Sequence, residues 1–208
     1  MADIKLKPSF LFIPLCFLFI LIIYFDKSED NQGTAIILPP AELLQTGDWI
    51  FRSGRSADSQ FIKRVSHSRY SHIGMVVQTQ PDIIIAHATT DDDPKHPNQV
   101  LLTSLNEFTA ADKADAIAIV RPRFLNRYQR AQSAKSAENM VGKAFIMTKR
   151  SEEPFYCTLL VFDAVHQQNP DFNPQWQYLD IAVFGGEYLF PEAFTHADVE
   201  WIYQYPGK

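Results

Sequence analysis

Only two cysteines occur in the 208 residues, Cys16 and Cys157, and they stand in very different surroundings. That excludes a disulfide framework, or a structural zinc site built on cysteines, as the main staple of the fold. Positive charge is also scarce: 19 Lys and Arg stand against 24 Asp and Glu, for a formal charge of -5. Without a broad basic field to gather phosphates, a general nucleic-acid binder is disfavoured. There is no glycine-rich phosphate loop and no zinc-protease helix motif, and no internal repeat or low-complexity stretch. What is present, 46% hydrophobic and 21% charged residues, suits roughly one globular domain held by its own apolar core.

The amino end stands apart from that core. Ser9 to Phe25 is an uncharged apolar run of 17 residues, the low end of what crosses about 30 Å of hydrocarbon as a helix. Lys5 and Lys7 precede it, and Asp26, Glu29 and Asp30 follow with only Lys27 among them. This bias puts the amino terminus in the cytoplasm and the remainder outside. A cleaved secretion signal shares these features, but Asp-Lys-Ser-Glu-Asp-Asn-Gln after Phe25 lacks a small-x-small cleavage site. The expectation is therefore a membrane anchor at residues 1–25, a linker at 26–45 containing Pro39-Pro40, and a compact domain at 46–208.

Within that domain, Asp48–Arg52 reads as a strand and Ser56–Ser66 as a short helix with Phe61, Ile62 and Val65 on one side. His72–Val77 and Ile83–Ala88 read as a hairpin turning at Pro81 and Asp82. Val100–Leu105 and Ala116–Arg121 add extended segments. One helix is expected over Asn126–Val141 and another from Cys157 to before Asn169-Pro170. The tail reads as mostly irregular with a closing strand. The sum is an α+β fold, an antiparallel sheet packed with helices.

Chemistry must come from few residues. Cys157 lies where a loop turns into an apolar helix, and backbone N–H groups there, with a neighbouring imidazolium, favour thiolate over thiol. A buried inert cysteine is the alternative. His72 opens one hairpin strand and His87 nearly closes the next. Pairing 72 with 87, and 76 with 83, makes the two histidines cross-strand neighbours, whereas a one-residue slip puts them on opposite faces. A core histidine plus a solvated one, or a metal-binding pair, are the competing readings. His67 and His96 read as surface residues, and His166 and His196 have no evident partner.

Gly47-Asp48-Trp-Ile-Phe, Ser71-His72-Ile-Gly-Met-Val, Ile-Ala-His87-Ala and Phe155-Tyr-Cys157-Thr, in that order, resemble the circularly permuted branch of the NlpC-type, papain-like cysteine hydrolases, the YiiX-like proteins. The resemblance spans roughly Leu43 to Phe194. It implies a permuted papain-like fold and a triad of Cys157 as nucleophile, His72 as base and His87 as orienting residue. The expected oxyanion donors are the Cys157 backbone N–H and, by adjacency, Tyr156. The third position is often acidic in these relatives, and the residues after the cysteine are often Ser-Glu rather than Thr158-Leu159. The implied activity is amide or ester cleavage on cell-envelope peptides, at the outer side of a bacterial inner membrane, with no metal or cofactor. A lipid-linked amide substrate is the second choice. A binding module with little or no turnover is the alternative from another class.

Overall fold

The computed structural model describes residues 35–207, so the anchor expected at 1–25 and residues 26–34 of the linker lie outside the described residues. Among the described residues no helix is long and apolar enough to cross a membrane. Eight strands are described: β1 (Trp49–Gly54), β2 (His72–Gln78), β3 (Ile84–Thr89), β4 (Gln99–Ser104), β5 (Ala114–Pro122), β6 (Gln177–Leu179), β7 (Gly186–Tyr188) and β8 (Val199–Tyr205). The helices are α1 (Ala57–Ser66), α2 (Leu105–Phe108), α3 (Arg127–Glu138), α4 (Cys157–His166) and α5 (Glu192–Thr195). Six strands form one sheet in the order β4-β3-β2-β1-β5-β8, every pairing antiparallel, and β6 and β7 form a separate ribbon. The fold is thus mixed α+β.

Alternation along the strands sends side chains into two cores, one on each face. Trp49, Phe51, Ile73, Met75, Ala86 and Ala118 join Leu160, Val161 and Ala164 of α4 and Ala134 and Ala137 of α3 in the first. Ile50, Val76, Ile85 and Ile119 join Phe108 of α2 and Leu44 in the second, which Leu38 and Ile202 extend. This second core reaches upstream of residue 46. Both faces of the central strands are covered, which is why β1 is buried along its whole length.

Side chains fix the helix ends. Ser56 accepts the Ser59 N–H at the start of α1, and His67 ends it in the left-handed region at φ 52. Asn126 with Gln129, and Ser104 with Glu107, form reciprocal caps for α3 and α2. Gly47 (φ 88) makes the turn into β1. Its neighbour Asp48 is fully buried and held by Arg121 through two contacts of 2.8 Å, a structural ion pair. The tail is more ordered than its sequence suggested: β8 closes the sheet against β5, and the β6–β7 ribbon carries its own small cluster of Leu179, Tyr188 and Phe190.

The hairpin carries the main correction to the sequence reading. Met75 pairs with Ala86 and Val76 with Ile85, with a bulge before Gln78, so the pairing lies two residues from the expected one. Gly74, not His72, stands opposite His87. Because side chains alternate with period two, an even slip keeps both histidines on one face. They are diagonal rather than direct neighbours.

Candidate active site

A cleft of about 660 Å³ is lined by His72, Cys157, Arg52, Asp92 and an apolar wall that includes Phe61, Met147 and Phe184. A larger cleft of about 840 Å³, lined by Trp176, Tyr178 and Glu192, touches none of the expected catalytic residues. Among the aromatics of the carboxy-terminal part, Phe184 and Tyr188 line the cysteine cleft, Trp176 and Tyr178 line the other, and Phe190 touches both.

His72 starts β2 and His87 sits inside β3. His72 Nε2 lies 2.9 Å from His87 Nδ1, and His87 Nε2 lies 2.8 Å from Thr103 Oγ1 on β4. The rings meet edge to face at 5.1 Å between centroids, and both rest on Phe108. Gly74 makes this contact across the diagonal feasible. A Cβ there would stand 2.6 Å from Ile85 Cγ2 and 3.1 Å from His87 Cβ. Gly74→Ala is expected to push β3 away, cost about 1–3 kcal/mol in thermal unfolding and lower Cys157 acylation together with it. Wild-type stability and rate in that variant would contradict the close fit.

Cys157 is the first residue of α4, and Tyr156 caps the helix with no side-chain hydrogen bond, so first-turn N–H groups remain open at the sulfur. The Ile73, Thr158 and Cys157 backbone N–H groups favour its anion, as does Arg52, yet burial outweighs them and pushes the thiol up to about 11. Burial, followed by Arg52 and His87, lowers His72 well below its ordinary value, with Asp92 opposing. The resting pair at neutral pH is therefore thiol and neutral imidazole. This corrects the expected thiolate, because desolvation exceeds the helix-end effect. Phe108, on which the His72 ring rests, belongs to the second core and Cys157 to the first, and His72 and Cys157 share the lining of the cleft. No hydrogen bond joins Cys157 to His72 among the described residues.

Tyr156 is 2% exposed, and its hydroxyl accepts the Leu189 N–H at 2.8 Å; burial raises its pKa. Thr158 Oγ1 donates to the Leu189 carbonyl at 2.7 Å, so both side chains tie α4 to the segment after β7. The other histidines stand elsewhere: His96 bonds exposed Asp93 at 2.8 Å, His196 pairs with Glu192, and His166 stacks on Phe162.

Two residues that the sequence reading did not place at the site complete it. Arg52, directly across from His72 in the β1–β2 pairing, grips Asp92 with Nη1 at 2.7 Å and Nη2 at 3.1 Å. Asp92 Oδ2 in turn lies 3.8 Å from His87 Nδ1, and both members of the pair are buried. The guanidinium also lies over Phe108 and donates to its carbonyl. The Asp92 carboxyl is held far below its usual range by Arg52, against the opposing effect of burial. The one signal in the sequence was an arginine inside an apolar strand.

No protein-family model matches this sequence, and no curated protein does. Among solved structures, the fold is similar to that of the metalloprotein YiiX from Escherichia coli O157:H7, with a TM-score of 0.63 and 21% identity over 77% of this chain and 97% of that one. The chain therefore has a YiiX-like fold; at this identity the likeness concerns the fold alone.

Proposed function

We propose that this protein is a cysteine hydrolase of the permuted papain-like, NlpC type, cleaving an amide or ester bond of a cell-envelope peptide. The observation that carries the reading is the shared cleft: Cys157 at a helix start, with His72 in the same lining and hydrogen-bonded through Nε2 to His87. If His87 donates Nε2–H to Thr103, its Nδ1 accepts from His72 Nε2–H, and His72 Nδ1 is left as a base. On attack, the Cys157 proton moves to that nitrogen as sulfur bonds to the carbonyl carbon. His72 then protonates the leaving group, and water activated by the same ring clears the thioester. First-turn N–H groups of α4 hold the oxyanion. Tyr156, with its hydroxyl already bonded to Leu189, serves that role less well than the backbone.

Residues 1–25 would hold the domain at the outer face of a bacterial inner membrane, near such a substrate. The apolar wall, with the Phe61 and Phe184 rings 5.3 Å apart, favours a lipid-linked amide or an acyl transfer as the second reading. A binding module with weak turnover draws support from the protonated thiol and the missing sulfur–ring hydrogen bond.

YiiX is described as a metalloprotein. In this chain the histidine donors are turned on each other and on Thr103, and among the described residues no group of three His, Cys, Asp or Glu is arranged to hold a metal ion. The residues do not fit that role.

The test uses detergent-solubilised full chain with p-nitrophenyl acetate, followed by cell-wall fragments and a lipid extract read by mass. A burst of p-nitrophenolate that vanishes in Cys157→Ser is the expected result. An equal burst in that variant excludes the nucleophile assignment. Unchanged natural extracts alongside a folded, burst-competent protein would favour the binding module.

A further inference from the structure

The step just described puts a positive charge on a buried imidazole pair, and something must balance it. His72, packed against Phe108 and 8% exposed, cannot rely on water. In the tautomer given above its Nε2–H is directed at His87 Nδ1, so the charge spreads along that 2.9 Å contact to an atom 3.8 Å from the Asp92 carboxylate. We propose that the Arg52–Asp92 pair sets the charge of this site: Asp92 stabilises the imidazolium that forms when Cys157 loses its proton, and Arg52 fixes the carboxylate in place. This supplies, from the loop after β3, the acidic group that the triad positions lack. Both are positioning residues, and the inference rests on the cysteine-hydrolase reading.

The geometry argues against a merely structural ion pair. A pair serving the fold alone has no reason to line the reactive cleft, yet Arg52 and Asp92 both line it. Arg52 Nε is buried without a partner, so the guanidinium is committed to Asp92 and the Phe108 carbonyl at the expense of its own satisfaction. Lys113 anchors the loop by donating to the Asp92 carbonyl at 3.0 Å. The charged groups acting on the two rings are thus Arg52 from β1, Asp92 from the loop after β3 and Lys113 from the segment before β5; Thr103 from β4 is neutral, and Cys157 from α4 shares the cleft lining with His72. Burial keeps the rings neutral at rest, with Arg52 assisting and Asp92 opposing, so removing either charged partner shifts the rings in opposite directions.

The test follows p-nitrophenyl acetate acylation against pH in the full chain, with Asp92→Asn, Arg52→Gln and the double variant. Asp92→Asn leaves the cation unopposed and should lower the rate on the order of 100-fold, moving the acid limb to lower pH. Arg52→Gln should move that limb to higher pH, and the double variant should bring it back toward wild type. Losses in both single variants with an unmoved limb would make the pair structural and overturn the inference, leaving the hydrolase reading intact. Iodoacetamide alkylation of Cys157 is the readout independent of turnover. The thiol midpoint should fall in Asp92→Asn and rise in Arg52→Gln, and shifts of the same sign overturn the proposal even if no ester is cleaved. If Arg52→Gln does not fold, the charge-balanced double variant set against Asp92→Asn carries the comparison.

Discussion

Replacing His72 by alanine is expected to slow Cys157 acylation by about two to four orders of magnitude at neutral pH, the usual contribution of a positioned general base. The reason is the protonation state at rest. With the thiol near 11, almost no thiolate exists at pH 7, so attack depends on handing the proton to the ring during the reaction. Alkylation of the same sulfur by iodoacetamide at alkaline pH needs only the thiolate and should stay near the wild-type rate in the variant. In wild type that alkylation should keep rising with pH rather than levelling off near neutrality. An alanine variant that acylates normally, or a plateau already reached at pH 7, would contradict the general-base account.

The second large effect concerns stability in acid. Burial lowers His87 from 6.5 to about 3, with Asp92 opposing and Arg52 and Lys113 assisting, and burial lowers His72 in the same direction. In the unfolded chain both rings take up protons near pH 6.5, whereas the folded chain refuses them until far lower pH. The unfolded state therefore binds more protons between about 6.5 and 3, and unfolding becomes easier as pH falls through that window. The stability concerned is fully present above 6.5. Its loss should be on the order of a few kcal/mol, visible as a falling urea midpoint between pH 6.5 and 4. His87→Asn should flatten the slope across the window while lowering stability at pH 7. A wild-type midpoint that is flat over this range would mean that the rings are hydrated or already charged in the folded state.

Much of the sheet was legible because its strands are short runs of alternating or continuous apolar residues bounded by turn residues. The Ile83–Ala88 strand and its Pro81 turn were visible in this way. The β6–β7 ribbon was not, because three-residue strands carry no period, and its cluster of Leu179, Tyr188 and Phe190 forms across 11 positions of chain.

The sequence by itself put His72 and His87 on two successive strands of one hairpin, and the register found in the structure decided that they share a face. Side chains alternate with period two, so any even error in register leaves both on the same side, and the two-residue slip did no damage. The sequence also determined Cys157 at the start of α4, because an apolar run following Pro154-Phe-Tyr is a local feature. The tertiary structure alone decided which charges stand beside them. Among Asp91, Asp92 and Asp93, adjacent and chemically alike, only the fold of the loop turns Asp92 onto Arg52 and leaves Asp93 to exposed His96. It alone decided the protonation of the sulfur as well. Desolvation sums over every neighbour packed around an atom, and those neighbours come from β1, β2, α4 and the segment after β7, which are far apart along the chain.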